Sequence, residues 1–378
     1  MQKVKVEKWG DIEVSRLGYG CMRFPMKDGK IDGALSGEML DTAYKNGVNY
    51  FDSAYVYLGG QSEGFVGATL SKYPRDSYYM ATKLPVWEVE RESDVNKLFE
   101  EQLIRLGMDY IDFYMLHALN AERWAAVKEL KMIERLADLK ERGKIKFLGF
   151  SYHGDYDTFA DAVGAYPWDF VQIQINYSDY DLIGAGALYR LLGEKGIPCI
   201  VMEPVRGGFL AEPPMEVRDI MAKADPAVSP AAWALRWCMD LENAPVILSG
   251  MNELSQVEEN IGVFERGRSL SPEEREMFGR CVDILKAVKS IPCTSCGYCM
   301  DCPYGVDIPG IYGIYNIYRL FGSTFRANAD YKDFLNRGVG FEGCVKCGAC
   351  TPKCPQGIEI PEKLEEMHEF LLTVHPPR

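Results

Sequence analysis

Along most of this chain, short apolar or alternating runs take turns with stretches in which apolar residues recur every three or four positions. The first pattern marks strands and the second marks helices with one buried face. After an opening hairpin (Lys3–Val6 with Glu13–Arg16), the pattern predicts eight strands. They are Arg16–Cys21, Tyr50–Ala54, Tyr78–Lys83, Ile111–Leu116, Phe147–Ser151, Phe170–Ile175, Cys199–Glu203 and Val246–Ser249. Helical stretches lie between them, among them Ser93–Leu106 and Glu122–Glu141, the latter with a stripe of Ala126, Leu130, Ile133, Leu136 and Leu139. The helices stop at Gly47, Gly107, Gly143 and Gly196–Pro198, where chain-breaking residues end the period. Eight strands, each followed by a helix, within about 265 residues fit a closed (β/α)8 barrel. A doubly wound sheet would bring a GxGxxG turn after an early strand, and the sequence has none.

Near Arg268–Ser269 the alternation stops. Ser271 and Pro272 open a new helix running to about Ser290, with Ser271 as its cap and Glu274 three positions on. This break predicts two domains, residues 1–270 and 271–378. The remainder is rich in cysteine and carries an aromatic segment, Gly310–Phe325, in which Ile311, Ile314, Tyr315 and Tyr318 have helical spacing. It also repeats itself: CPYGVDIP (Cys302–Pro309) and CPQGIEIP (Cys354–Pro361) agree at five of eight positions.

Composition narrows the class. Of 378 residues, 47% are hydrophobic and 26% charged, an ordinary globular balance. A net charge of −13 without a basic run argues against nucleic-acid or anionic-membrane binding. No apolar run approaches the ~18 residues of a membrane helix, and the opening MQKVKVEKWG lacks a signal-peptide core. Eight of the twelve cysteines have metal-type spacing, which requires a reducing compartment and places the protein in the cytoplasm.

Those eight form two runs, Cys293, Cys296, Cys299 and Cys302, then Cys344, Cys347, Cys350 and Cys354, each ending in Cys-Pro. Structural zinc uses cysteines in two pairs per ion and needs no third cysteine in rhythm. Triplets followed by Cys-Pro suit two 4Fe–4S clusters. The tail therefore resembles the two-cluster ferredoxins. On that pattern Cys293, Cys296, Cys299 and Cys354 hold one cluster, and Cys344, Cys347, Cys350 and Cys302 the other. The first run has two residues rather than three before its last cysteine, so the alternative stands that each run serves its own cluster. Cys21, Cys199, Cys238 and Cys281 lack such spacing and read as core residues.

In the barrel, polar residues cluster where strands end, which is where barrel enzymes place their chemistry. Asp52 and Tyr57 follow the second strand, Lys83 closes the third and His117 closes the fourth. An Asp followed five residues on by a Tyr, then a Lys and a His, resembles the tetrad of the aldo-keto reductase family. Reduction of a carbonyl leaves an alkoxide that needs a proton, and a phenol gives one readily only if its anion is stabilised. The resemblance implies that Tyr57 is the acid, that Lys83 held by Asp52 eases its ionisation, and that His117 polarises the carbonyl oxygen.

The likeness continues downstream. Ser151 and Gln172 match the residues that hold the nicotinamide carboxamide, with Tyr152 or His153 in place of the family's Asn. Met202 stands near the ring-stacking position, Arg206 and Gly207 along the pyrophosphate, and Gly250, Gln256, Glu259 and Asn260 in the adenosine stretch. Gly250, Asn252 and Gln256 occupy positions where Lys or Arg would meet a 2′-phosphate, which favours NADH within the NAD(P)H pair. Trp87, Trp124 and the Tyr177–Tyr180 pair are candidates for lining a pocket.

The whole resembles aldo-keto reductase-like oxidoreductases with an iron–sulfur tail: an α/β (β/α)8 TIM barrel followed by a small, mainly helical, ferredoxin-like dicluster domain. The expected substrate is a small carbonyl or alcohol, and the expected electron partner a ferredoxin or flavoprotein. The competing expectation is an electron-transfer or redox-sensing subunit that docks on a partner and turns over little carbonyl itself.

Overall fold

The computed structural model describes residues 1–267, 269–288, 290–300, 302–321 and 324–373. Arg268, at the predicted end of the alternation, and Gly322–Ser323 of the aromatic segment lie outside the described residues. The chain divides into two compact units, one of Met1–Pro204 with Ala232–Leu270 and one of Val205–Ala231 with Ser271–Arg378.

All eight predicted strands form, and they close into a single parallel barrel. We number them β1 (Leu17–Gly20), β2 (Tyr50–Asp52), β3 (Tyr79–Leu84), β4 (Ile111–Leu119), β5 (Ile145–Tyr152), β6 (Phe170–Gln174), β7 (Cys199–Met202) and β8 (Val246–Gly250). β8 pairs with β1 and β5 with β6, so no edge is left open. The antiparallel hairpin Lys3–Lys5 with Glu13–Ser15 precedes them.

Alternate residues of each strand point into the barrel. Tyr50, Ala81, Phe113, Met115, Phe170, Ile200, Val246 and Leu248 share one buried cluster with Trp9. Phe113 is its hub, with ring centroids 4.8 Å from Phe147, 4.9 Å from Tyr50, 5.0 Å from Trp9 and 5.3 Å from Phe170. Trp9 is fixed there by a hydrogen bond from its indole N–H to the Asp169 carbonyl at 2.9 Å. The N-terminal end of the barrel is thus an apolar plug, and an inward side chain with chemistry to perform must come from the strands' C-terminal ends.

Two expectations are corrected. The stretch Glu122–Glu141 is two helices, Ala121–Glu129 and Met132–Glu141, because Lys131 between them has left-handed backbone at φ 49°. The apolar stripe runs across the break, since a helical period can survive one turned residue. β4 runs three residues beyond its predicted end, because a register shift between Leu116 and Leu119 lets pairing resume at Leu119 with Tyr152.

In the second unit, the Ser271 cap forms as predicted. Its hydroxyl accepts from the Glu274 amide at 3.2 Å, the Glu274 carboxylate accepts from the Ser271 amide at 2.8 Å, and the helix covers Pro272–Ala287. The cysteine-rich part carries helices Ile308–Phe321, Thr324–Asn336 and Ile360–Thr373 around a core that includes Ile311, Tyr312, Tyr331, Leu364 and Met367. The internal repeat is structural. Helices Ile308–Phe321 and Ile360–Thr373 both have 14 residues and begin at equivalent positions of the repeat. The loops before them match in backbone as well: Ser295 and Lys346 both have φ 53°, and Gly297 and Gly348 have φ 79° and 75°. No described helix is long and apolar enough to cross a membrane.

Candidate active site and cluster sites

The plug and the candidate site are successive layers of one alternation. Two residues beyond Tyr50, Ala81 and Met115 on the same inward faces come Asp52, Lys83 and His117. Two beyond Phe170, Ile200 and Leu248 come Gln172, Met202 and Gly250. Ser151 takes the same place on β5, paired with Gln172 across the ladder.

At the centre, the Lys83 ammonium donates to Asp52 Oδ1 at 2.5 Å and to the Ser53 carbonyl at 2.7 Å. Both side chains are buried. Lys83 Nζ also lies 4.7 Å from the centroid of the Tyr57 ring. Tyr57 and His117 meet edge to face, with centroids 6.0 Å apart. Burial pushes the Asp52 carboxyl up, against the opposing pull of Lys83 and of Gln172. Burial pushes the His117 imidazole well below its ordinary value, and the Lys83 and Arg123 charges and His153 push it the same way. His117 is therefore neutral near pH 7 and carries one ring N–H.

The backbone around His117 is held from two sides. Ala118 has φ 52°, within the irregular part of β4. Its amide donates to Ser151 Oγ at 2.7 Å, and its carbonyl accepts from the Arg123 guanidinium at 2.8 Å. Bulges of this kind re-aim a side chain next to a site. Ser151 keeps its own hydroxyl proton for a further acceptor, and the buried Gln172 Oε1 accepts no hydrogen bond among the described residues. Tyr152 turns outward and donates to the Asp155 carbonyl at 2.7 Å. Half-buried His153 has its pKa pushed down to about 4 by burial and Arg123.

The remaining predicted residues fall in different places. Asn260 is buried and donates to Ser249 Oγ at 3.0 Å, pinning helix Leu254–Arg266 to β8. Gln256 Oε1 accepts from the Asn252 amide at 3.0 Å near the start of that helix, and Glu259 is exposed. Arg23, which sequence reading passed over, packs its stem beside Gly250, with its guanidinium 3.7 Å from the Glu203 carboxylate. Arg206 and Gly207 belong to the second unit, Arg206 with its guanidinium 5.2 Å from the Phe209 ring. Of the aromatics, Trp87 lies 5.2 Å from the His117 ring. Trp124 donates to Asp161 at 2.7 Å, and Tyr180 packs on Trp237.

In the second unit the eight cysteines of the two runs line two hollows. Cys293, Cys296, Cys299 and Cys354 line one, with Tyr312 and Ile358. Cys302, Cys344, Cys347 and Cys350 line the other, bordered also by Cys299, with Val306 and Leu364 in its wall. Each hollow thus takes its fourth cysteine from the opposite run. Among the described residues, no three His, Cys, Asp or Glu side chains gather closely enough to hold a single metal ion.

Residues 16–283 match the aldo/keto reductase family, and residues 292–359 match a 4Fe-4S dicluster domain. The chain belongs to the aldo/keto reductase family. Similar proteins include the L-galactose dehydrogenase of Arabidopsis thaliana, 26% identical over 77% of this chain and 97% of that protein. They also include the NADH-specific methylglyoxal reductase of Escherichia coli, 27% identical over 66% of this chain and 90% of that protein. Among solved structures, the holo form of an aldo-keto reductase from Bacillus halodurans superposes with a TM-score of 0.62 at 24% identity, covering 74% of this chain and 96% of that one. That last likeness is one of fold.

This aldo/keto reductase barrel also has a polar support behind the candidate site that the sequence reading missed. Buried Glu63 Oε1 accepts from Thr82 and from Gln102, both at 2.6 Å. Gln102 also donates to the Lys83 carbonyl at 3.0 Å and accepts from Tyr114 at 2.5 Å. Burial pushes the Glu63 carboxyl up, while Thr82, Gln102 and Arg105 draw it down. Thr82 and Tyr114 are outward neighbours of inward residues, so the network grips the Lys83 strand from outside the barrel. Polar residues within otherwise apolar strand runs were its only sequence signal.

Proposed function

We propose that the barrel interconverts a small carbonyl and its alcohol with a nicotinamide as hydride carrier, and that the tail carries electrons on two 4Fe–4S clusters. The observation that carries this reading is the convergence of Lys83 on both Asp52 and the Tyr57 ring, with His117 facing that ring.

In this reading Tyr57 gives its phenolic proton to the alkoxide forming at the substrate oxygen. Lys83, 4.7 Å from the ring, lowers the cost of the phenolate, and Asp52 holds the Lys83 side chain in place. Neutral His117 donates its ring N–H to the same oxygen, so the developing negative charge meets a donor aligned beforehand. Trp87 beside His117 and the apolar plug beneath exclude water from the reacting atoms. A bound nicotinamide would supply the hydride. The chain's residues suit its carboxamide, since Ser151 offers a hydroxyl donor and Gln172 an unsatisfied buried acceptor. The lack of Lys or Arg at Gly250, Asn252 and Gln256 supports NADH over NADPH.

The thiolate donor sets suit two clusters, one on Cys293, Cys296, Cys299 and Cys354 and the other on Cys302, Cys344, Cys347 and Cys350. A hydride moves two electrons together, a 4Fe–4S cluster moves one, and the chain has no flavin motif to join the two modes. Exposed Cys347 supports exchange with an outside one-electron carrier, a ferredoxin or flavoprotein. It equally favours the second reading, in which the chain docks on such a partner as a sensing or transfer subunit with little turnover of its own.

The test is an anaerobic titration of the iron-loaded protein with NADH and NADPH, followed by a panel of small carbonyls that includes methylglyoxal. We expect tighter binding of NADH and its oxidation by a carbonyl. The visible absorbance of the clusters should persist under NADH and bleach with dithionite. Failure to bind either nucleotide, or bleaching by NADH alone, contradicts this division of labour.

A further inference from the structure

The turn that follows β7 has an unusual backbone. Arg206, Gly207 and Gly208 have φ values of 48°, 64° and 98°, three consecutive residues in the left-handed range. Glycine adopts such backbone freely, so of the three only Arg206 is in a conformation disfavoured for its residue type. The turn's neighbour is the first cysteine loop, in the same compact unit. A Cβ placed on Gly207 would lie 2.8 Å from Thr294 C and Cα, and closer still to its carbonyl oxygen. Around Gly208 nothing lies within 4 Å of such a Cβ. Thr294 stands between Cys293 and Cys296 and lines the same hollow as they do.

The internal repeat supplies a control within the molecule. Val345 is the equivalent of Thr294 in the second cysteine loop, and the two loops share their backbone turns at Ser295/Lys346 and Gly297/Gly348. Yet Thr294 is 2% exposed and Val345 is 56% exposed. One loop is backed by the Arg206–Gly208 turn, and its twin stands in the open.

We propose that Gly207 is a positioning residue for the first cluster. It gives the Cys293–Cys296 loop a back wall that a side chain would push away, whereas the second cluster's loop holds its shape without such a wall. The proposal rests on the assignment of Cys293, Cys296, Cys299 and Cys354 to one cluster, and it adds a dependence of that cluster on the turn after β7.

The experiment reconstitutes Gly207→Ala and Gly208→Ala in the full chain, beside Cys296→Ala, Cys354→Ala and Cys347→Ala as references. Iron per chain and the electron paramagnetic resonance spectrum after dithionite reduction are the readouts. The wild type should hold about eight irons and Gly207→Ala about four, since each cluster has four. The Gly207→Ala spectrum should match that of Cys296→Ala, and Gly208→Ala, whose backbone at φ 98° is strained but whose Cβ meets nothing within 4 Å, should keep both clusters. Three results would overturn the proposal: Gly207→Ala keeping both clusters with an unshifted spectrum, losing both together, or sharing its phenotype with Gly208→Ala. Failure of the ligand assignment looks different, because Cys354→Ala would then not match Cys296→Ala.

Discussion

Lys83 is fully buried, and among the described residues its side-chain nitrogen donates to Asp52 and to the Ser53 carbonyl, which offset the cost of its burial. Breaking a buried pair by removing one partner leaves a desolvated charge and costs about 3–5 kcal/mol. Lys83→Met, which strands Asp52, should therefore lower the thermal midpoint of the barrel as well as carbonyl turnover. A variant with wild-type stability would show that Asp52 does not depend on Lys83. His153 makes a prediction about pH. Its folded pKa of about 4 lies below the unfolded value of ~6.5. Between these values the unfolded chain binds the extra proton, so stability is full above about pH 6.5 and falls as pH drops toward 4. His153→Gln should flatten that part of the profile relative to wild type, as read from thermal midpoints between pH 4 and 7. At this scale the sequence was most informative where charge interrupts an apolar strand, as at Asp52, Lys83 and His117. It was silent where the partner is remote, as for Thr294 against Gly207 or Gln102 beneath Lys83.

Elements were legible where periodicity and punctuation coincide. The eight strands and the Ser271 cap follow from local pattern, because a period of two and a Ser-x-x-Glu box need only near neighbours. The Lys131 turn was hidden because the apolar stripe passes across it, and the extension of β4 because its irregularity is a matter of pairing. The repeated cysteine loops were legible as sequence, but which run completes which hollow depends on how the halves fold together. Because Cys354 lines the hollow of the first run, Cys354→Ala should lose the same cluster as Cys296→Ala, and Cys302→Ala the same as Cys347→Ala. Matching resonance spectra within each pair test this. Pairing by run instead, Cys302 with Cys296, would refute the exchange.

At the scale of the whole molecule, we keep the division into domains at residues 270 and 271 as a proposal. The barrel match ends at residue 283 and the dicluster match begins at 292. Compactness draws the line elsewhere, since Val205–Ala231 leaves the barrel's unit and joins the cysteine-rich one. A pattern read along the chain cannot reveal such a membership, because it is set by tertiary packing. In the proposed function the two units have separable chemistry, proton and hydride transfer in one and single electrons in the other. The most direct measurement of that central claim is carbonyl-dependent NADH oxidation by Tyr57→Phe, alongside its iron content and NADH affinity. General acid catalysis contributes on the order of 10²–10⁴ in rate, so turnover should fall by that factor while iron content and NADH affinity stay at wild-type values. Turnover at the wild-type rate in Tyr57→Phe would contradict the account.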